Sequence, residues 1–145
     1  MAFTGNWVTN TFKIGILDGT FNFNTGTSDV YKIALYTNAA TLDASTAAYT
    51  SIGEVVASGY TAGGNTLVVN QIPTVGNTGT TAYLSFGNAA WTAAITARGC
   101  LIYKANGTTN PTVCVLDFGS DKISSTTFTV QFPSPTNTSA IIRIS

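Results

Sequence analysis

Gly99-Cys100-Leu101-Ile102-Tyr103, then the loop Asn106-Gly107-Thr108-Thr109-Asn110-Pro111, then Thr112-Val113-Cys114-Val115-Leu116-Asp117-Phe118, is the stretch that decides the fold class. β-Branched and aromatic residues fill both flanks, where pleated strands favour them. Asn106-Gly107 between them is a turn signal for a β-hairpin. Working outward, Thr126-Thr127-Phe128-Thr129-Val130-Gln131-Phe132 alternates with a period of two. That period points Phe128, Val130 and Phe132 inward and Thr127, Thr129 and Gln131 outward. Val30 to Tyr36 alternates too, with Tyr31, Ile33 and Leu35 against Lys32 and Ala34, and reads as a half-buried strand. Thr66–Ile72, Tyr83–Phe86, Ala140–Ser145 and Thr11–Leu17 supply further strands. No window of about a dozen residues carries apolar positions at helical spacing behind a capping box.

Seven or eight short strands separated by turn residues predict a single-domain, all-β protein over residues 1–145, a β-sandwich or jelly roll. The Thr/Gly/Ala-rich segment from Thr37 to Asn65 fits no strand and is expected to be a long loop. Loops of that length are uncommon in compact domains and usually have a task.

Charge sets the next limit. Only 8% of the residues are charged, six basic and six acidic, against about 25% in an average soluble domain. Lys13, Lys32, Arg98, Lys104, Lys122 and Arg143 are scattered singly, so no basic patch exists to release counterions from a nucleic acid. No apolar stretch approaches the roughly 20 residues that span a bilayer. The start of the chain shows no secretory signal, which fits assembly in a cytoplasm. A surface so poor in charge is expected to face other subunits, and its β-edges are expected to lack Lys and Pro guards.

The chemistry of catalysis is thin. The chain has no histidine, which removes the usual general base and the commonest metal ligand. Cys100 and Cys114 have no third partner for zinc and are expected to be free, buried thiols. The expectation is therefore a non-enzyme without cofactor or metal. Glu54 and Arg98 stand in otherwise neutral stretches and are expected to form an ion pair that ties the long loop to the sheet. Phe3, Trp7, Phe12, Tyr60 and Trp91 are the candidate interface residues. Residues 1–12 are expected to form an extended arm that reaches a neighbour. Exposed aromatics on a sheet would alternatively suit a carbohydrate-binding module.

An ordered set of short segments carries a resemblance. It runs through Lys32-Ile33-Ala34-Leu35-Tyr36-Thr37-Asn38, Ala40-Thr41-Leu42-Asp43-Ala44 with Thr46 and Tyr49, and Gly53-Glu54-Val55. It continues through Ser58-Gly59-Tyr60-Thr61-Ala62-Gly63-Gly64, Trp91, Thr96-Ala97-Arg98-Gly99, Ile102-Tyr103 and Leu116-Asp117-Phe118-Gly119. From about Phe12 to Gly119 the chain resembles small virion structural proteins of tailed bacteriophages. The resemblance implies a place in the virion beside other virion proteins, the major capsid protein first among them. It implies capsid cement or decoration, or alternatively a tail or connector subunit. A homo-oligomer is expected, a trimer before other states, because cement proteins often occupy threefold positions.

Overall fold

The hairpin forms where the sequence puts it. The computed structural model describes residues 3–145, of which 41% are strand and 6% helix. Strands β7 (Thr96–Lys104) and β8 (Thr112–Ile123) pair antiparallel, with Leu101 opposite Val115 and Ile102 opposite Cys114. In their loop Asn110 takes a left-handed φ of 45°, which Asn tolerates better than most residues. Strand β2 (Tyr31–Tyr36) pairs with the other edge of β7, while β3 (Asn65–Leu67) and β1 (Trp7–Val8) are the outer strands of the order β1-β8-β7-β2-β3. A second sheet orders β10 (Ile142–Ile144), β5 (Ala82–Phe86) and β4 (Val69–Val75). A third pairs β6 (Ala89–Trp91) with β9 (Phe128–Val130).

One apolar core joins all three sheets. Ile33, Leu35, Ile102 and Val113 of the five-stranded sheet pack in one cluster with Leu84, Phe86 and Ile142 of the second and Trp91, Phe128 and Val130 of the third. Phe128 and Val130 are buried, Thr127, Thr129 and Gln131 are exposed, and Phe132 packs part-buried against Phe86 at 6.0 Å between ring centres. The expected alternation holds there.

For β2 it does not. Ala34, expected opposite the apolar face, is fully buried, as is Tyr36, with Leu101, Tyr103 and Val115 beneath Phe3, Ala40 and Leu42. The long loop covers the far face of the five-stranded sheet, so its central strands are buried on both sides. That is why β7 reads Cys-Leu-Ile-Tyr without a polar break.

Three other expectations are corrected. Thr11–Leu17 is not a strand: helix α1 (Asn10–Asp18) occupies it, buries Phe12 and Gly15, and leaves Lys13, Ile14, Ile16 and Leu17 outside. Its caps are local. Thr9 accepts from the Phe12 N–H, and Gly19 closes the end at φ 81° with its own N–H on the Gly15 carbonyl. Residues 3–12 are not an arm. Phe3 and Phe12 are buried within the chain's own fold, because filling the core removes far more apolar surface from water than an outstretched chain would. Gly99 makes room for the Phe3 ring, which a Cβ there would meet at 2.5 Å. Met1 and Ala2 lie outside the described residues. Lastly, several edges do carry guards: Pro73 and two register shifts on β4, Arg143 on β10, and Asp117, Asp121 and Lys122 on the outer half of β8.

Two measurements check this core. Leu35→Ala should cost about 2–5 kcal/mol in urea unfolding, whereas Leu17→Ala on the open face of α1 should stay within about 0.5 kcal/mol. The thiols of Cys100 and Cys114 are free, and burial pushes both up, Cys114 to about 12. Neither should react with a disulfide reagent at neutral pH until the protein unfolds.

Candidate functional site

The long loop is held by one buried carboxylate. β3 leaves β2 at the Ile33–Asn65 pair, so beyond it the β2 edge needs other partners. The loop supplies them: Val55 donates to the Leu35 carbonyl, Thr37 donates to Gly53, and the Leu35 N–H donates to the Tyr60 hydroxyl at 2.9 Å. Glu54 fixes that loop. Its Oε1 accepts from the Tyr60 hydroxyl at 2.6 Å and the Gly63 N–H at 2.7 Å, and its Oε2 accepts from the Tyr49 hydroxyl at 2.6 Å. The Tyr103 hydroxyl of β7 donates to the Gly63 carbonyl at 2.8 Å, and the Tyr103 ring stacks on Tyr49 at 4.8 Å. Gly64 could carry no other side chain: its φ is 72° and a Cβ would collide with the Ile33 backbone.

Phenols around a carboxylate stay neutral. Burial first, and the negative Glu54 second, push Tyr103 up to about 12. Tyr60 and Tyr36 are raised above their usual range by burial and then by Glu54, and Tyr49 likewise. With Glu54 only 7% exposed and its oxygens taken by three donors, the cluster acts as a clamp.

The expected Glu54–Arg98 pair does not form. Arg98 on β7 pairs across the strand with Asp117 on β8, Nε to Oδ1 at 2.9 Å and Nη2 to Oδ2 at 3.3 Å. Gly99 lies opposite Asp117 in the ladder, which places the Asp117 carboxylate beside the guanidinium. Hydrogen bonds from Arg98 hold Asp117 below its ordinary range. A second ion pair went unread in the sequence. Lys104 contacts Asp29 at 2.8 Å and donates to the Thr20 carbonyl at 2.7 Å. Burial works against the charged Asp29, but Lys104 and the Asn22 N–H outweigh it and lower its pKa.

Of the candidate interface residues, Phe3, Phe12 and Trp91 belong to the core, and Tyr60 is part-buried in the clamp. Burial serves these rings better than exposure, so they are unavailable to a partner. Trp7 is 39% exposed, with its indole N–H on Thr4. The apolar groups that face outward are others. Ile14 and Leu17 stand side by side on α1, 63% and 88% exposed, and Ile16 borders a groove with Phe12, Ile142 and Ile144. Ile52 and Val56 project from the clamped loop. None of them is among the residues expected at an interface, and for α1 the reason is that Thr11–Leu17 was expected to be a strand, which hides the face a helix presents.

Among the described residues no helix is long and apolar enough to cross a membrane, and no group of three or more His, Cys, Asp or Glu side chains could hold a metal ion. Compared with known proteins, the chain matches no family model, no curated protein and no solved structure.

Glu54→Ala should lower stability by about 3 kcal/mol by stranding its donors, while Asp121→Ala on the exposed end of β8 should change it by less than about 0.5 kcal/mol. The tyrosines add a pH dependence. Their folded pKa values lie above the ordinary 10.0, so the folded state favours the neutral phenols. That contribution is complete below pH 10.0 and is lost as pH rises through the folded values, of which that of Tyr103 is about 12. Unfolding free energy should therefore fall steeply between these limits, with tyrosinate absorbance rising alongside.

Proposed function

We propose that this chain is a structural subunit of a tailed-bacteriophage virion, a cement or decoration protein that stabilises the shell by contact with the major capsid protein and works without catalysis. The supporting observation is the outer apolar face of α1. Ile14 and Leu17 give water two large side chains on a protein with zero net charge, where colloidal repulsion is weak. A free, abundant monomer gains nothing from such a face, whereas a subunit docked on a larger surface buries it. The resemblance in the sequence gives that surface its name.

The same reading takes the three sheets as a β-sandwich. The five-stranded sheet forms one layer and the two smaller sheets the other, with the shared cluster between them. The clamped loop is a third covering layer that stiffens the subunit. A sugar-binding module is the weaker alternative, since Trp91 lies in the core and cannot serve as a stacking platform.

Quantitative mass spectrometry of purified particles tests the assignment. Cement predicts a copy number in the hundreds per particle, whereas a ring-like connector or tail subunit would give a number on the order of six to twelve. Absence from the particle would remove the proposal. In particles assembled with Leu17→Glu, occupancy should fall sharply while the isolated variant keeps its fold.

A further inference from the structure

A groove runs along the outer edge of β9. The five consecutive residues from Thr127 to Gln131 line a groove of about 500 Å³ whose other wall is Phe118, Lys122, Ile123 and Ser124. Consecutive residues of a strand point to opposite faces, so a groove that touches all five runs along the strand's edge. Two hydrogen bonds show which backbone groups face it. The Phe132 N–H donates to Asn88 Oδ1, next to β6, so the groups of Phe128, Val130 and Phe132 point toward β6. The Ala90 carbonyl, opposite Thr129, accepts instead from Asn65 Nδ2 on β3, so the Ala90–Thr129 pair exchanges no ladder bonds. The N–H and C=O groups of Thr127, Thr129 and Gln131 therefore face the groove. Among the described residues they have no backbone partner outside the ladder.

This edge has none of the guards found on β4, β8 and β10: it carries no charge, no proline and no register shift. Open ladder groups in a walled slot would be a standing liability unless a strand occupies them. The wall also says what kind of strand. Lys122 is the only charged residue of the lining and makes no ion pair among the described residues; its ammonium contacts only Ser120 Oγ, at 3.0 Å.

We infer that the β9 edge is a β-augmentation site for an extended, acidic segment of a partner protein. The segment pairs with the free groups of Thr127, Thr129 and Gln131 and sets a carboxylate against Lys122. A second copy of β9 does not suit the slot, because Thr127 to Gln131 carries no carboxylate to set against Lys122. The site is independent of the apolar face of α1 and of where the protein works.

Hydrogen exchange on the whole chain reads this directly. In the free protein the amides of Thr129 and Gln131 should exchange fast while those of Phe128 and Val130 are protected. The probes are two synthetic heptapeptides of alternating valine and threonine, one with a central glutamate and one with a central lysine, at about millimolar concentration. The glutamate peptide should slow the Thr129 and Gln131 amides by about tenfold or more, and the lysine peptide should not. Lys122→Glu should reverse that preference. Thr129→Pro should abolish protection without unfolding the chain, because its lost N–H lies outside the ladder. Thr129 already protected in the free monomer, or no protection by either peptide, would overturn the inference. Protection that grows with protein concentration alone would give the edge to a second copy and overturn the partner.

Discussion

Glu54 is the side chain on which the far side of this molecule depends. The long loop lies over a sheet face lined by Ala34, Tyr36, Leu101, Tyr103 and Val115, yet loops carry backbone polar groups that resist burial. The carboxylate resolves that conflict locally. It gathers the hydroxyls of Tyr49 and Tyr60 and the N–H of Gly63 at one point, and Tyr60 passes the connection on to the bare Leu35 N–H of β2. A cation in place of the phenols would have to be desolvated as well, at a penalty that close pairing often only offsets. Neutral phenols bring their own apolar rings, which pack on Tyr103 and Trp91 while their hydroxyls do the polar part.

Once the loop is down, the five-stranded sheet is covered on both faces, and much of the composition follows. The central residues of β2 and β7, Ile33 to Tyr36 and Gly99 to Tyr103, can be apolar because they are buried on both faces. Four of the twelve charges form two ion pairs, Arg98 with Asp117 and Lys104 with Asp29. The outside carries scattered apolar side chains, among them Ile14, Ile16 and Leu17 of α1 and Ile52 and Val56 of the loop, and the open edge of β9. The α1 side chains and the β9 edge lie on different elements and offer different chemistry, one a hydrophobic face and the other a backbone ladder.

The β character was legible because it rests on local signals. Asn106-Gly107 marks the loop between β7 and β8, though its left-handed residue is Asn110, and the Phe128–Thr129–Val130 alternation fixes a face. The same period-two logic misread Thr11–Leu17, since Phe12, Ile14 and Ile16 alternate as well as any strand. Thr9 in front and Gly19 behind were the readable signs of a short helix, and they outweigh the alternation. Partners of charged groups were harder. Glu54 was expected to pair with Arg98, but its partners are two uncharged tyrosines and the Gly63 N–H a few residues away, and charge matching looks past such partners. Aromatic side chains misled for a different reason. Phe3, Phe12 and Trp91 look like interface residues in a chain with little charge, but a domain of this size needs them for its own core.

The most direct test of the account is native-state hydrogen exchange at the Leu35 amide in the parent chain and in Tyr60→Phe. If the clamp closes the loop over β2, Leu35 exchanges in the parent only near global unfolding. Loss of the Tyr60 hydroxyl should then bring its exchange down to a local opening, while amides of the β7–β8 hairpin such as Ile102 stay protected. A Leu35 amide that is equally protected in both proteins, or already open in the parent, would contradict the claim that this carboxylate-centred clamp holds the loop on the sheet.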